Sequence, residues 1–229
     1  MVTRTEGEIA TNTDPTGSWS LVVPLKPLAL AKSRLRRTAG ERLLPRLALA
    51  FALDTVGAAL ACPGVRDVVV VTDDAAAGAE LAGIGARVVP DTPAAGLNAA
   101  LAHGARAVRS LRPRAPVAAL NADLPALRPD ELARVLDFAA AFPRVFVTDA
   151  AGIGTTFLSA TAGVELRPAF GGFSRDRHLL SGAVEIPLSA IDSVRTDVDT
   201  GDDLCAALAL GVGFRTARLS AGLVPAADR

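Results

Sequence analysis

The run "DVVVVTDD" (residues 67–74) decides the fold class, because four consecutive valines are followed at once by polar and acidic residues. Continuous apolar runs of this kind are typical of strands buried on both faces of a parallel sheet. The run "PVAALNADLP" (residues 116–125) has the same character and also reaches an acid at its end. The two runs together predict a buried parallel sheet with polar groups at the carboxyl ends of its strands.

The rest of the chain alternates short apolar runs with longer segments rich in Ala and Leu. Strands are predicted for "WSLVVPL" (19–25), "ARVVP" (86–90), "RVFVTD" (144–149), "GTTFLSA" (154–160), "AVEIPL" (183–188) and "SVRTDVDT" (193–200). Helices are predicted over 40–61, 75–83, 97–110, 128–142 and 201–210, with Thr200 as the N-cap of the last and Asp203 as its capping-box acid. This alternation indicates a single α/β domain with a mostly parallel, mixed sheet and helices on both faces.

The length of the chain and the composition of its two ends set the expected domain limits. The 229 residues suffice for one sizeable domain. The polar residues 1–17 lack an apolar core and are expected to be a disordered lead-in. We assign residues 18–215 to the domain and 216–229 to a C-terminal tail.

Composition excludes several classes of protein. Lys+Arg and Asp+Glu both number 24, so the net charge is zero, which argues against a nucleic-acid partner and against a polybasic membrane anchor. No apolar run is expected to cross a bilayer, and "LALAFAL" is much too short. Cys62 and Cys205 are distant in sequence and have no CxxC partner, which makes a disulfide framework or a zinc site unexpected and favours a reducing cytoplasm.

Polar residues follow four predicted strands, where open α/β sheets bind their ligands. The first set lies in "VVPLKPLALAKSRL" (22–35), which contains Lys26 and Lys32, the only lysines of the chain. The others are Thr72–Asp74, Asp123, and the pair Asp197 and Asp199. Two carboxylates and a cationic loop at one edge suit Mg²⁺ and a triphosphate, because Mg²⁺ takes oxygen ligands and shares them with phosphates. The loop contains no glycine and is therefore not a Walker A sequence.

A second candidate binding segment is "RPAFGGFSRDRH" (167–178). Its glycines permit close backbone approach, and Ser hydroxyl and backbone N–H groups bind phosphate or carboxylate. An ordinary Gly-containing turn before a helix explains the same residues. "GIGTTFLSA" has a similar ambiguity, as a small-residue strand or as the floor of a substrate site.

Six segments in order resemble the guanylyltransferase family of coenzyme F-420 biosynthesis, which acts on phosphoenolpyruvate or 2-phospho-L-lactate. They are "VPLKPLALAKSRL", "GLNAAL" (96–101), "NADLPAL" (121–127), "GTTFLSA", "FGGFSRDRH" with "SGAV" after it, and "DVDTGDDL" (197–204), and they span residues 19–212. The family fold is similar to that of nucleotide-sugar nucleotidyltransferases of the glycosyltransferase-A group. It agrees with the alternation of strands and helices.

The resemblance implies roles for particular residues. Asp123 and Asp197 match the family's Mg²⁺ ligands, and Thr156, Gly171 and Ser174 match positions that bind phosphoenolpyruvate. The nucleotide site is expected to use Lys26, Lys32, Arg34 and Asn98, with the two lysines on the GTP phosphates. The chain departs from the expected pattern at Gly172 and Phe173, where more polar residues are expected.

The implied reaction is transfer of GMP from GTP to phosphoenolpyruvate, giving enolpyruvoyl-diphospho-guanosine and pyrophosphate for a downstream transferase of the F-420 pathway. The alternatives are 2-phospho-L-lactate as acceptor, a related nucleotidyltransferase with another acceptor, and a non-catalytic nucleotide-binding regulator. Retention of both aspartates argues against the regulator, because a degenerate site loses its metal ligands first. The glycine-rich GxGxR loop typical of cytidylyltransferases is absent from the sequence.

Overall fold

The structure is a computed structural model that describes residues 19–28, 35–221 and 223. The predicted lead-in (1–17), Lys32 and Arg34 lie outside the described residues. The strands are β1 (Trp19–Pro24), β2 (Val65–Val71), β3 (Arg87–Val89), β4 (Val117–Leu120), β5 (Arg144–Thr148), β6 (Thr155–Ala160) and β7 (Val184–Glu185). The helices are α1 (Arg36–Leu60), α2 (Ala75–Gly83), α3 (Leu97–Leu111), α4 (Pro129–Ala139), α5 (Ser174–Leu180), α6 (Asp192–Arg195), α7 (Gly201–Leu210) and α8 (Phe214–Ser220).

The seven strands form one mixed sheet in the order β3-β2-β1-β4-β6-β5-β7. Strands β1 to β4 are mutually parallel, whereas β6 runs antiparallel to both β4 and β5. The start of β6 therefore lies at the same edge as the ends of β4 and β5. The sheet confirms the predicted α/β class, and at one edge it brings the start of β6 beside the ends of the other six strands.

The sheet is buried on both faces because successive side chains of a strand point in opposite directions. Leu21 and Val23 of β1 belong to one apolar cluster with residues of α1 and α4. Val22, between them, packs in the other cluster with Leu101 of α3. Helix α3 lies close to the sheet at Gly104, where an added Cβ would collide with the side chain of Val22. This arrangement explains the uninterrupted apolar runs in the sequence.

Helix α1 corrects the expectation that no apolar segment is long enough to cross a membrane. Its portion Ala39–Leu60 is 22 residues long, with a mean hydropathy of 1.6 over its most apolar window, and meets the length and composition test. Of that window, 61% is buried inside the protein. The apolar composition is accounted for by packing, since α1 covers one sheet face and contacts α7 through Phe51.

The second half of the chain departs from the predicted elements in three places. Residues 193–200 form the end of α6 and a connecting loop and contain no strand. The predicted strand over 183–188 shrinks to the two residues of β7. Helix α8 was not predicted; the carboxylate of Asp54 in α1 fixes its start by accepting hydrogen bonds from the backbone N–H groups of Thr216 (2.8 Å) and Arg215 (3.3 Å).

Candidate active site

A cavity of about 620 Å³ opens at the sheet edge where β1, β4 and β5 end and β6 begins. Its ionisable lining residues, among those the structure describes, are Lys26, Asp123, Asp149, Asp197 and Asp199. Its wall also includes the glycine turn at 171–172 together with Thr155 and Ser174. Most of the groups predicted from separate motifs therefore meet at one place.

Asp123 is held on a rigid link three residues after the end of β4. The buried hydroxyl of Thr55 in α1 donates to the carbonyl of Ala122 (3.3 Å) and accepts from the N–H of Leu124 (3.0 Å), so it fixes the chain on both sides of the acid. Helix α4 begins only at Pro129, with Arg128 in the N-cap position. The structure confirms that Asp123 is placed too early to cap this helix.

Asp197 reaches the cavity by a different route from the predicted strand end. It lies on the loop between α6 and α7, where the N–H of Val198 donates to the carbonyl oxygen of Asp123 (3.0 Å). Val198 is fully buried, whereas Asp197 is half-buried and Asp199 exposed. One backbone hydrogen bond and one buried valine thus bring two sequence-distant acids together.

The cap of α7 is the predicted one. The hydroxyl of Thr200 accepts from the N–H of Asp203 (3.2 Å), and the Asp203 carboxylate accepts from the N–H of Thr200 (2.8 Å). This reciprocal capping box satisfies two backbone donors. Asp197 and Asp199 are therefore not required as caps and remain on the cavity wall.

The donor set fits a magnesium ion that shares its coordination with a bound phosphate. Asp123 and Asp197, the two predicted ligands, carry hard carboxylate oxygens, which Mg²⁺ prefers. No group of three or more His, Cys, Asp or Glu side chains is arranged as a complete metal site in the part of the chain that the structure describes. Mg²⁺ commonly uses one or two carboxylates plus substrate phosphates, so two acids at an open cavity suit it better than a closed cage does.

Lys26 is exposed at the cavity rim, directly after β1. Two residues further on, the N–H of Leu28 donates to the carboxylate of Asp74 (3.0 Å), whose other oxygen caps α2 through the N–H of Ala77 (3.1 Å). These hydrogen bonds, that from Leu28 foremost, hold the pKa of Asp74 below its ordinary value. The predicted polar group at 72–74 thus anchors the start of the lysine loop and does not line the cavity.

Asn98 is engaged with protein backbone. Its amide oxygen accepts from the N–H of Phe170 (2.7 Å), and its amide nitrogen donates to the carbonyl of the same residue (3.2 Å). Arg177 holds the neighbouring carbonyls of Ala169 (3.1 Å) and Gly171. Both sides of the Gly171 turn are therefore fixed by side chains, and the nucleotide contact of Asn98 stays a prediction.

The adjacent threonines of β6 lie where the register with β5 shifts, and they have different surroundings. Thr155 lines the cavity, whereas Thr156 is fully buried away from it and its hydroxyl has no hydrogen-bond partner among the described residues. The carbonyl of Thr156 accepts from the N–H of Asn121 (3.0 Å), which joins β6 to the link that carries Asp123. Of the residues matched to the acceptor by resemblance, Gly171 and Ser174 lie on the wall and Thr156 supports it from behind.

A buried polar chain begins at the cavity wall. The hydroxyls of Ser174 and Thr155 are 3.1 Å apart, and the Thr155 hydroxyl is 3.0 Å from Nδ1 of His178. Nε2 of His178 accepts from the N–H of Ala169 (3.0 Å). Burial, with the nearby charges of Arg144 and Arg177, lowers the pKa of His178 from 6.5 to about 4, so the ring is neutral at pH 7.

Asp149 escaped the sequence prediction, whereas Thr155 and His178 were included in predicted segments without a role of their own. Asp149 follows β5, and its two carboxylate oxygens accept from the N–H groups of Ile153 (3.0 Å) and Gly154 (2.9 Å), which fixes the turn into β6. Its position as the last residue of the predicted strand 144–149 is a signal that was available. Thr155 and His178 carry no comparable signal, because their roles depend on strand register and on contacts distant in sequence.

Comparison with known proteins agrees with this site. The profile of the MobA-like NTP transferase domain matches residues 31–184. The chain is 68% identical over 206 residues to the phosphoenolpyruvate guanylyltransferase of Streptomyces coelicolor, covering 90% of this chain and 97% of that protein. It is 57% identical over 213 residues to the phosphoenolpyruvate guanylyltransferase of Thermomonospora curvata, covering 93% of each.

Solved structures are similar in fold at low identity. A nucleotidyl transferase from Methanothermobacter has a TM-score of 0.60 at 23% identity, covering 84% of this chain and 97% of that one. A putative nucleotide-diphospho-sugar transferase from Desulfovibrio desulfuricans also has a TM-score of 0.60, at 12% identity, covering 81% of this chain and 84% of that one. These likenesses confirm the nucleotidyltransferase-type fold. The near full-length identity to the curated relatives shows further that the chain belongs to the phosphoenolpyruvate guanylyltransferase family, within the MobA-like NTP transferase domains.

Proposed function

We propose that the protein transfers GMP from GTP to the phosphate of phosphoenolpyruvate, forming enolpyruvoyl-diphospho-guanosine and releasing pyrophosphate. The observation that carries the proposal is the meeting of Lys26, Asp123 and Asp197 with Gly171 and Ser174 around one cavity. The first group suits a metal-bound triphosphate, and the second suits a small anion. Family membership supplies the identity of both substrates.

In the proposed reaction a phosphate oxygen of the acceptor attacks the α-phosphorus of GTP. An O–P bond forms, the bond to the β-phosphate breaks, and pyrophosphate departs with the electron pair. Because the acceptor phosphate is already anionic at neutral pH, the reaction requires no general base. This agrees with a cavity whose ionisable lining, among the described residues, consists of Lys26 and aspartates.

The protein groups have separate tasks in this proposal. Asp123 and Asp197 would hold Mg²⁺, which neutralises charge on the triphosphate when bound. Lys26 would act as a point charge on the phosphates, with Lys32 and Arg34 proposed for the same loop. The catalytic gain would come mainly from positioning and from fixed charges.

The acceptor would occupy the wall formed by Gly171, Ser174 and Thr155. The resemblance matched Thr156 to the acceptor, and the geometry favours a contribution of Thr156 through its backbone, since its neighbour presents the hydroxyl to the cavity. We propose phosphoenolpyruvate as the acceptor. 2-Phospho-L-lactate carries the same phosphate and carboxylate and is the alternative to be tested.

We further propose that the product is passed to a downstream transferase of coenzyme F-420 synthesis and that the protein works in the cytoplasm. The free thiols of Cys62 and Cys205 suit a reducing compartment. A phosphoanhydride attached to an enol is an activated group, and a partner enzyme that consumes it promptly would limit hydrolysis.

The test compares Asp123→Asn with Asp130→Asn. Asp130 is an exposed acid at the start of α4, outside the cavity, so both variants lose the same charge from the segment after β4. With GTP, Mg²⁺ and phosphoenolpyruvate, we expect pyrophosphate release to fall at least a hundredfold in Asp123→Asn, about 2.7 kcal/mol of barrier, and to stay near wild type in Asp130→Asn. Equal activity of the two variants would contradict the proposed metal site.

A further inference from the structure

The polar chain that ends at the cavity is ordered by a backbone donor. The N–H of Ala169 can only donate, so Nε2 of His178, 3.0 Å away, must be the unprotonated nitrogen. The lowered pKa of His178 keeps the ring neutral at pH 7. The ring proton therefore lies on Nδ1, which donates to the hydroxyl oxygen of Thr155 at 3.0 Å.

The proton on Nδ1 determines how many hydroxyl protons of Thr155 and Ser174 remain for the cavity. Thr155 and Ser174 have one proton each, and the 3.1 Å contact between their oxygens uses only one of them. Since His178 already donates to Thr155, the remaining proton has no partner among the described residues. Both residues lie on the cavity wall, so the pair retains one O–H donor for a bound oxygen there.

The opposite tautomer of His178 would remove that donor. If Nδ1 were an acceptor, Thr155 would donate to it and Ser174 would donate to Thr155, leaving no hydroxyl proton for the cavity. The wall would then offer oxygen lone pairs, which repel an anion. The tautomer of one buried histidine thus decides whether the wall attracts or repels a carboxylate or phosphate.

The ring of His178 is fixed in orientation as well as in protonation. It is fully buried, and its centroid lies 5.6 Å from that of Phe146 and 5.3 Å from that of Phe170. Phe170 is itself held through both backbone groups by Asn98. A 180° flip of the ring would place carbon atoms where Nδ1 and Nε2 now lie and would break the bonds to Ala169 and Thr155 together.

We infer that His178 is a positioning residue of the acceptor pocket, which orients the Thr155–Ser174 hydroxyl pair so that it donates a hydrogen bond to an anionic oxygen of the acceptor. The inference rests on the proposed function for the identity of that acceptor. His178 itself does not touch the substrate. A hydroxyl that accepts a hydrogen bond is also a stronger donor, because hydrogen bonds in a chain polarise one another.

Two amide variants test the two ring nitrogens of His178 separately. The amide of His178→Asn reaches the former position of Nδ1 and can still donate to Thr155. The longer amide of His178→Gln reaches the former position of Nε2 and can still accept from Ala169, but it leaves Thr155 without its donor. Each variant breaks one of the two hydrogen bonds, so each is the control for the other.

We expect the KM for phosphoenolpyruvate to rise at least tenfold in His178→Gln, equivalent to about 1.4 kcal/mol, and to rise much less in His178→Asn. The KM for GTP should remain at the wild-type value in both variants. Melting temperatures, measured alongside, should fall by similar amounts. A purely structural role of His178 would move acceptor KM equally in both variants or in neither, and either result overturns the inference.

Binding and NMR measurements distinguish failure of this inference from failure of the proposed function. Calorimetry with phosphoenolpyruvate, in the presence of Mg²⁺ and a non-hydrolysable GTP analogue, reports binding without turnover. Binding that shows the Asn–Gln difference without any pyrophosphate release would refute the proposed reaction and uphold His178. Normal turnover without the Asn–Gln difference would uphold the proposed reaction and refute the role of His178. Absence of both binding and turnover would refute the reaction and the role of His178 together. Nitrogen NMR of labelled histidine must find the proton on Nδ1, and a proton on Nε2 overturns the inference whatever the kinetics.

Discussion

Replacement of Gly171 by alanine tests the division of the cavity between nucleotide and acceptor. Gly171 has φ +94°, a conformation that side chains disfavour, and an added Cβ would meet no atom of the described residues within 4 Å. The cost to the folded protein is therefore backbone strain alone, about 1–2 kcal/mol. For a chain of this size, that corresponds to a fall in melting temperature of roughly 2–8 °C.

The effect on substrate use should be larger and selective. The added methyl group stands on the cavity wall, in space that we assign to the acceptor. We expect the KM for phosphoenolpyruvate to rise at least tenfold, about 1.4 kcal/mol, while the KM for GTP stays unchanged. The assay is pyrophosphate release with each substrate titrated separately at saturating concentration of the other.

Gly163→Ala is the matched control. Gly163 has φ +78° and open space around its Cβ position, but it lies on the turn after β6 and does not line the cavity. It should lose similar stability and keep normal kinetics. If Gly171→Ala raised the KM for GTP and left that for phosphoenolpyruvate unchanged, the assignment of the two ends of the cavity would be reversed.

Three further predictions concern the charged and titratable groups. Lys26→Ala should raise the KM for GTP at least tenfold. Lys26→Arg should recover only part of the lost GTP affinity, because the planar guanidinium is a poor substitute for a point charge. A normal KM for GTP in Lys26→Ala would exclude a role of Lys26 on the phosphates. Asp197→Asn should abolish turnover. Asp202 is an exposed acid in the first turn of α7, and Asp202→Asn should keep normal turnover. Comparable pyrophosphate release from the two variants would exclude Asp197 from the metal site. His178 has a folded-state pKa of about 4 against 6.5, so the stability from its buried neutral form is complete above pH 6.5 and lost as the pH falls towards 4. Urea unfolding should therefore show wild type losing about 3 kcal/mol relative to His178→Gln between pH 7 and pH 4, and parallel pH dependences would disprove the shift.

Much of the fold follows from local sequence patterns. The valine run of β2 has one compatible environment, a sheet covered on both faces, and Thr200 with Asp203 specifies the start of α7 through local hydrogen bonds. The segment 193–200 misled the prediction because Val194 and Val198 suit either a strand face or one side of a helix. Tertiary contacts decide between them, and here they favour α6 and a loop.

A site residue could be predicted where its function depends on directly following a buried strand. It could not be predicted where its function depends on the register of strand pairing. Asp123 belongs to the first kind. Thr155 and Thr156 are the same residue type, and the register of β6 against β4 and β5, which shifts at this point, decides which of them lines the cavity. His178 acts through Ala169 and Thr155, a combination that no local pattern reveals.

Helix α8 could not be predicted either, because its start depends on a contact that is distant in sequence. Its start depends on the carboxylate of Asp54, which precedes Thr216 by 162 residues. Gly213 allows this approach, because an added Cβ would collide with the Asp54 side chain. Neither residue signals the contact in the sequence.

The central claim is the transfer of GMP to phosphoenolpyruvate, and GTP labelled at the α-phosphorus tests it most directly. With Mg²⁺ and phosphoenolpyruvate, the label should appear in a product that also contains the enolpyruvoyl group, with one pyrophosphate released for each label transferred. Parallel reactions with 2-phospho-L-lactate and without acceptor should transfer far less. Pyrophosphate release that is independent of any acceptor, or label transfer that favours 2-phospho-L-lactate, would contradict the account.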